Sequence, residues 1–123
     1  MAFLNDEAFD QGLDWVDTNG TRLDICSQEP ATYAEATSTY TLGNATVNTG
    51  VAQDNSTNGR KVIVPAVSGM SVTGTGTATH WALSNGSNTL VATGSLSASQ
   101  SVTSGNTIDT AAFDIIIEDA VSA

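Results

Sequence analysis

Residues 79–93 read THWALSNGSNTLVAT, and this stretch decides the fold class. The segment Ser71–Ser84 alternates along its length. Trp81 and Leu83 face one way and Ala78, His80 and Ala82 the other, which is the period of a strand. Asn85–Asn88 (NGSN) carries turn residues, and Thr89–Thr93 returns. The two runs therefore read as an antiparallel hairpin.

Working outward toward the C-terminus, Leu96–Ala98 follows after Gly94, and Ser99–Thr103 is polar apart from Val102. Gly105-Asn106 turns the chain again. A last strand is predicted over Thr107–Glu118, with Phe113, Ile115 and Ile117 on one face. Strands at intervals of about ten residues, with turn chemistry between them, indicate an antiparallel sandwich or barrel.

Toward the N-terminus the period changes. Phe9, Leu13 and Val16 fall at i, i+4, i+7, flanked by Ala8 and Trp15, which predicts a helix over residues 5–18 with Asn5 as its N-cap. In DWVDTNGTRLDIC, residues 14–26, Asn19-Gly20 is read as a left-handed helix terminus. The rival readings fare worse. A calcium loop with that Gly at its sixth position would place Trp15 at its first and Cys26 at its twelfth, ligand positions that neither side chain suits. A type I′ hairpin there ignores the helical period that runs up to it.

Leu23–Cys26 then alternates as a strand. Residues 27–40 are ambiguous: Pro30 stops the strand, and Tyr33 and Tyr40 are candidate anchors of a loop crossing the domain. Ser38–Val51 is Thr-rich and suits one or two strands, Gln53–Gly59 is a loop, and Lys61–Pro65 is a short strand. The expected fold is a single domain over 1–123: an antiparallel β-sandwich, jelly-roll or Ig-like, over about 21–118, with one N-terminal α-helix.

Charge narrows the function. Thirteen acids face only Arg22, Arg60 and Lys61, a net charge of −10. Nucleic acid and anionic membrane need a basic footprint that this chain lacks, so neither is an expected partner. No apolar run approaches the roughly 18 residues of a membrane span. The opening MAFLNDEAFD has neither the basic nor the long apolar region of a secretory signal, so a cytoplasmic origin is expected. The single cysteine, Cys26, cannot form an internal disulfide and reads as core filler.

Three blocks carry a resemblance: MAFLNDEAFDQGLDWV at 1–16, RLDICSQEPATYAEATSTYTLG at 22–43, and GTGTATHWALSNGSNTLVATGSLSASQSVTSGNTIDTAAFDIII at 74–117. In this order they resemble small β-rich structural proteins of tailed bacteriophage virions, among them head decoration, fibre-attachment and tail proteins. The resemblance implies a virion component made in the host bacterial cytoplasm, and not an enzyme. The expected role is a capsid decoration or cement protein that bridges subunits of the major capsid protein or other virion proteins, as a homo-oligomer in the particle. The alternative is a tail or fibre-attachment module touching host glycans.

The residues offer few rivals to that view. His80 and Trp81 point to opposite faces of one strand and cannot share a pocket, and no nucleophile motif accompanies the His. Asp114 and Glu118 lie roughly 13 Å apart along a strand, too far for paired glycosidase carboxylates. The glycine runs SVTGTGTAT and NSTNGRK lack the helix and Lys-Ser/Thr of a phosphate loop. No catalytic residue, cofactor or metal ligand is expected. The candidate partner contacts are Phe3 and Leu4 before the helix, Tyr33 and Tyr40 in the crossing loop, and the basic pair Arg60 and Lys61 for an acidic partner. Trp15, Tyr33 and Tyr40 are the candidates for stacking on sugar.

Overall fold

A computed structural model describes residues 6–54 and 59–117. Phe3, Leu4, Asn5, Glu118 and Asp119 lie outside the described residues.

The first element, α1 (Asp6–Asn19), follows the helical period. Leu13 is fully buried and Val16 packs on the core, while Trp15 is half exposed. Its end differs from the expectation, because Gly20 is not in the left-handed region. Gly20 is needed for space instead: a Cβ there would lie 2.6 Å from Leu83 and 2.7 Å from the Val16 carbonyl. The Gly20 N–H donates to that carbonyl, and the Asn19 side-chain amide donates to the Trp15 carbonyl at 2.9 Å. Together they satisfy the last turn.

Next come β1 (Arg22–Cys26), a π-helical turn at Glu35–Thr39, and β2 (Thr41–Thr46). The ambiguous stretch 27–40 is thus partly helical. The signal was Thr32-x-x-Glu35, a capping-box spacing. Thr32 Oγ1 accepts from the Glu35 N–H at 3.1 Å, and Glu35 Oε1 accepts from the Ala31 N–H at 2.8 Å. Two further strands are β3 (Gln53–Asp54) and β4 (Arg60–Val64), and β3 replaces the start of the expected loop by pairing with Arg60 and Lys61.

The remaining strands are β5 (Val67–Ser71), β6 (Gly76–Ser84), β7 (Leu90–Val102), β8 (Thr107–Thr110) and β9 (Phe113–Ile117). The β6–β7 hairpin forms as read. Asn85 Oδ1 organises its turn by accepting from the N–H groups of Ser87, Asn88 and Thr89, and Gly86 takes a φ of 74°. Two corrections apply. The last strand is two, because Ala111 and Ala112 break it and send β8 and β9 to different sheets. The parity of the apolar residues shows why: Ile108 is even, whereas Phe113, Ile115 and Ile117 are odd, so one flat strand could not bury both sets. Ala78 also joins the Leu83 side of the core, because the register of β6 shifts between Ala78 and His80.

The described strands form three antiparallel sheets, ordered β2-β1-β6-β7, β3-β4-β9 and β5-β8. The main core draws on all three: Leu23, Ile25 and Leu83 from the first, Val64 with Phe113 and Ile115 from the second, Met70 and Ile108 from the third. The opposite face of β1 carries Cys26, which with Ala36 and Ala82 forms a second cluster under the π-helical turn. The helix α1 docks on the three-stranded sheet, where Gly12 lies against Ile117 and Asp10 binds Arg60. Among the described residues no helix is long and apolar enough to cross a membrane.

Candidate functional site

Trp81 on β6 is flanked by Ile25 on β1 and Gly94 on β7. A Cβ on Gly94 would sit 2.7 Å from the indole, so only Gly lets the ring lie across that strand. Phe113 meets Trp81 at 4.5 Å between ring centroids, tilted by 41°. The indole is thus held by β7 on one side and β9 on another.

Beyond Gly94 the strands separate. The register runs from His80↔Ser95 to Ala78↔Gln100, so Leu96–Ser99 face the single residue Thr79. One Thr has one N–H and one C=O, which cannot satisfy the peptide groups of four residues. No backbone hydrogen bond joins Leu96–Ser99 to any described segment outside the β6–β7 pair. Facing this bulge, Ala111 and Ala112 between β8 and β9 also make no hydrogen bond among the described residues.

Between the two segments opens a cleft of about 450 Å³. Its floor is apolar, with Leu23, Ile25, Trp81, Ile108 and Phe113, and its walls are Ser95–Ala98 with Gln100 on one side and Asp109–Ala112 on the other. Among the described residues Asp109 is the only ionisable one in the lining, and its Oδ1 accepts from the Gly69 N–H at 2.7 Å. Half of the lining comes from the longest uncharged part of the chain, since no Asp, Glu, Lys or Arg occurs from Val62 to Ile108. The volume is that of a ligand or side-chain pocket.

The other face of the hairpin carries His80. Thr79 Oγ1 donates to the Ser27 carbonyl at 2.9 Å, so it accepts from His80 Nδ1 at 2.8 Å, which assigns the proton to Nδ1. His80 Nε2 then faces Ser95 Oγ at 3.5 Å. This separation is long for a hydrogen bond, and the group behind the imidazole is a neutral hydroxyl with no charge to steady an imidazolium. The triplet orients a side chain and lacks the parts of a nucleophile–base–acid relay.

Elsewhere each Lys and Arg is paired with a carboxylate of the chain. Asp24 is fully buried and takes two bonds from Arg22, at 2.8 and 3.1 Å, and one from Thr41 Oγ1 at 2.7 Å. The bond to Asp24 holds the Arg22 guanidinium above its ordinary pKa. Arg60 binds Asp10 through Nε at 2.8 Å, and Lys61 meets Asp114 at 3.4 Å. All three basic side chains of the chain are therefore engaged by its own carboxylates. Cys26 is buried with its thiol toward the Ala36 carbonyl, and burial pushes its pKa up to about 12. Among the described residues no three His, Cys, Asp or Glu side chains gather as a metal site would require.

The candidate contact residues fall into separate places. Tyr33 and Tyr40 bracket the π-helical turn, both half-buried. Tyr40 packs on the Cys26 cluster and its hydroxyl donates to Glu35 at 3.2 Å, which raises its pKa. Arg60 and Lys61 sit on opposite faces of β4, toward α1 and toward Asp114. Trp15, on α1, is 50% exposed and shares no element with the two tyrosines. Sequence reasoning placed no site at the cleft. The signals that could have found it are the Trp81–Gly94 pairing, the uncharged run through 95–101, and the parity change across Ala111-Ala112. Comparison with known proteins finds no matching family model, no matching curated protein and no matching solved structure.

Proposed function

We propose that this chain is a non-enzymatic structural protein of a tailed-phage virion, a decoration or cement protein that stabilises the head by bridging capsid subunits. The observation that carries the reading is the division of its surface. Its three cations pair with its own carboxylates, while a cleft with an apolar floor opens beside the bulged edge strand β7. Such a surface favours association with protein and offers no basic footprint for nucleic acid. The resemblance of residues 1–16, 22–43 and 74–117 to virion proteins supplies the setting. The three sheets are read as the layers of a β-sandwich of jelly-roll or Ig-like type, with Trp81 and Phe113 meeting between layers.

Counting copies in purified particles and locating the chain in a map of the virion tests this. Hundreds of copies on the head, and heads that lose heat resistance when the gene is deleted, are the expected results. A handful of copies at the tail would overturn the decoration role. The second reading, a tail or fibre-attachment module that touches host glycans, is favoured by one feature: Trp15 is exposed enough to stack on a sugar. A glycan array should then show binding that Trp15→Ala abolishes.

A further inference from the structure

We propose that the cleft between Leu96–Ser99 and Asp109–Ala112 docks an extended segment of a different protein, which buries one large apolar side chain over Trp81 and Phe113 and sets a Lys or Arg against Asp109. The inference rests on the reading of this chain as an association module and names the surface and the chemistry of its partner.

Three observations specify the occupant. On one wall four residues, Leu96–Ser99, face the single residue Thr79 at a sheet edge, and on the other Ala111 and Ala112 make no backbone hydrogen bond among the described residues, so an extended backbone can pair there as an added strand does. The floor is apolar, and its volume of about 450 Å³ has room for a large side chain. Gly94 and Phe113 lie against Trp81, so a sugar finds less of the indole to stack on than it would on an exposed ring.

Charge then separates a foreign partner from a second copy. Among the described residues the rim holds one carboxylate, Asp109, one oxygen of which accepts from the Gly69 N–H. The molecule around it carries −10. A basic flank on the incoming segment is therefore drawn in, and an acidic one is repelled. A second copy is a poor source of that flank: its Arg22, Arg60 and Lys61 are all committed to Asp24, Asp10 and Asp114.

The test uses the full chain with Trp15→Phe, which leaves Trp81 as the single indole reporter. The probes are terminally blocked peptides of roughly nine residues, the length of a strand. One series has a central leucine and lysine ends, a second a central leucine and glutamate ends, a third a central alanine and lysine ends. The expected result is a shift of Trp81 emission by the first series at or below about 1 mM. Binding should weaken about tenfold for the glutamate ends and for the alanine centre.

Asp109→Asn keeps the acceptor for Gly69 and removes the charge, so it should erase the preference for lysine ends. Ala98→Phe, at an exposed wall position, should block the cleft. No shift with any series, or binding indifferent to both substitutions, overturns the proposal. So does a concentration-dependent dimer in sedimentation that Ala98→Phe abolishes, since a second copy would then be the occupant. Heads that still carry an Ala98→Phe chain at full copy number would overturn the cleft assignment while leaving the virion role standing.

Discussion

The four-stranded sheet has two edges, and they are finished in opposite ways. At β2 the edge is closed. Gly43 bridges to Val72, and the N–H groups of Thr73 and Gly74 both donate to the Leu42 carbonyl, at 2.8 and 3.2 Å. The fit is close enough that a Cβ on Gly43 would lie 2.6 Å from the Ser71 carbonyl. At β7 no described strand pairs with the outer side, and the strand is bulged at Leu96–Ser99 beside the cleft. An edge that is covered by the chain's own backbone cannot recruit another strand, whereas an open one can. The difference teaches where a neighbour could join this protein without unfolding any part of it.

The closed side should be the more fragile to substitution. Asp24 ties Arg22 on β1 to Thr41 on β2, with its carboxylate fully buried. Asp24→Ala leaves Arg22 without its ion partner and Thr41 Oγ1 with only its longer contact, to the Gly43 carbonyl at 3.3 Å. A loss of about 3 kcal/mol in urea unfolding is expected, at the lower end for a broken buried pair because Arg22 is partly exposed. A loss under about 1 kcal/mol would mean that the pair does not hold this edge.

The two glycines test the comparison directly. Gly43→Ala pushes a methyl against a backbone carbonyl on a neighbouring segment, which can yield only by moving the chain. Gly94→Ala pushes one against the Trp81 ring, a side chain that can tilt at the expense of its contact with Phe113. Both should destabilise by about 1–3 kcal/mol, with Gly43→Ala the larger. Gly94→Ala should also change Trp81 emission, and Gly43→Ala should not. The reverse order of stability would make the open edge the tighter of the two.

How much of this was legible beforehand depended on the range of the interactions. The β6–β7 hairpin and α1 were readable because their periods and turn residues are local: Asn85 organises its own turn, and Leu13 and Val16 repeat with the helix. The π-helical turn was written in Thr32 and Glu35 but obscured by the Tyr and Thr residues around it. Gly20 was given the right position and the wrong reason, since its neighbour Leu83 lies far along the chain. The closure at Gly43 and the cleft under Trp81 depend on which strands become neighbours. Composition and spacing do not encode that order, so neither site could be placed, although the uncharged run through 62–108 holds half of the cleft lining.

Cys26 lies on the covered face of β1 and offers a smaller, pH-dependent probe of that side. Its folded pKa is raised from 9.0 to about 12, so the native state favours the thiol. The stability this gives is complete below pH 9 and is lost as pH rises through 9 toward 12, because the unfolded chain releases its proton first. The advantage of the wild type over Cys26→Ala in chemical unfolding should therefore shrink across that window. Alkylation of the native protein at pH 8 should be negligible and become rapid only on unfolding. Ready alkylation of the folded chain would show that the π-helical turn does not seal this face.

The smallest effect is expected where the edge is open. Ser99 is exposed and lies within the bulge, with no cross-strand partner in the register. A lysine there adds a charge without displacing a contact, so Ser99→Lys should change stability by no more than about 0.5 kcal/mol in either direction. The same substitution is nonetheless a device that guards sheet edges, because a charged side chain along a free strand discourages pairing with another chain. Stability and association should therefore separate: Ser99→Lys folds like the wild type yet binds the lysine-ended peptides more weakly. If it instead costs several kcal/mol, the bulge is packed in a way its exposure does not reveal. The contrast between a closed edge that holds the fold and an open edge that is free for a partner would then fail at its open end.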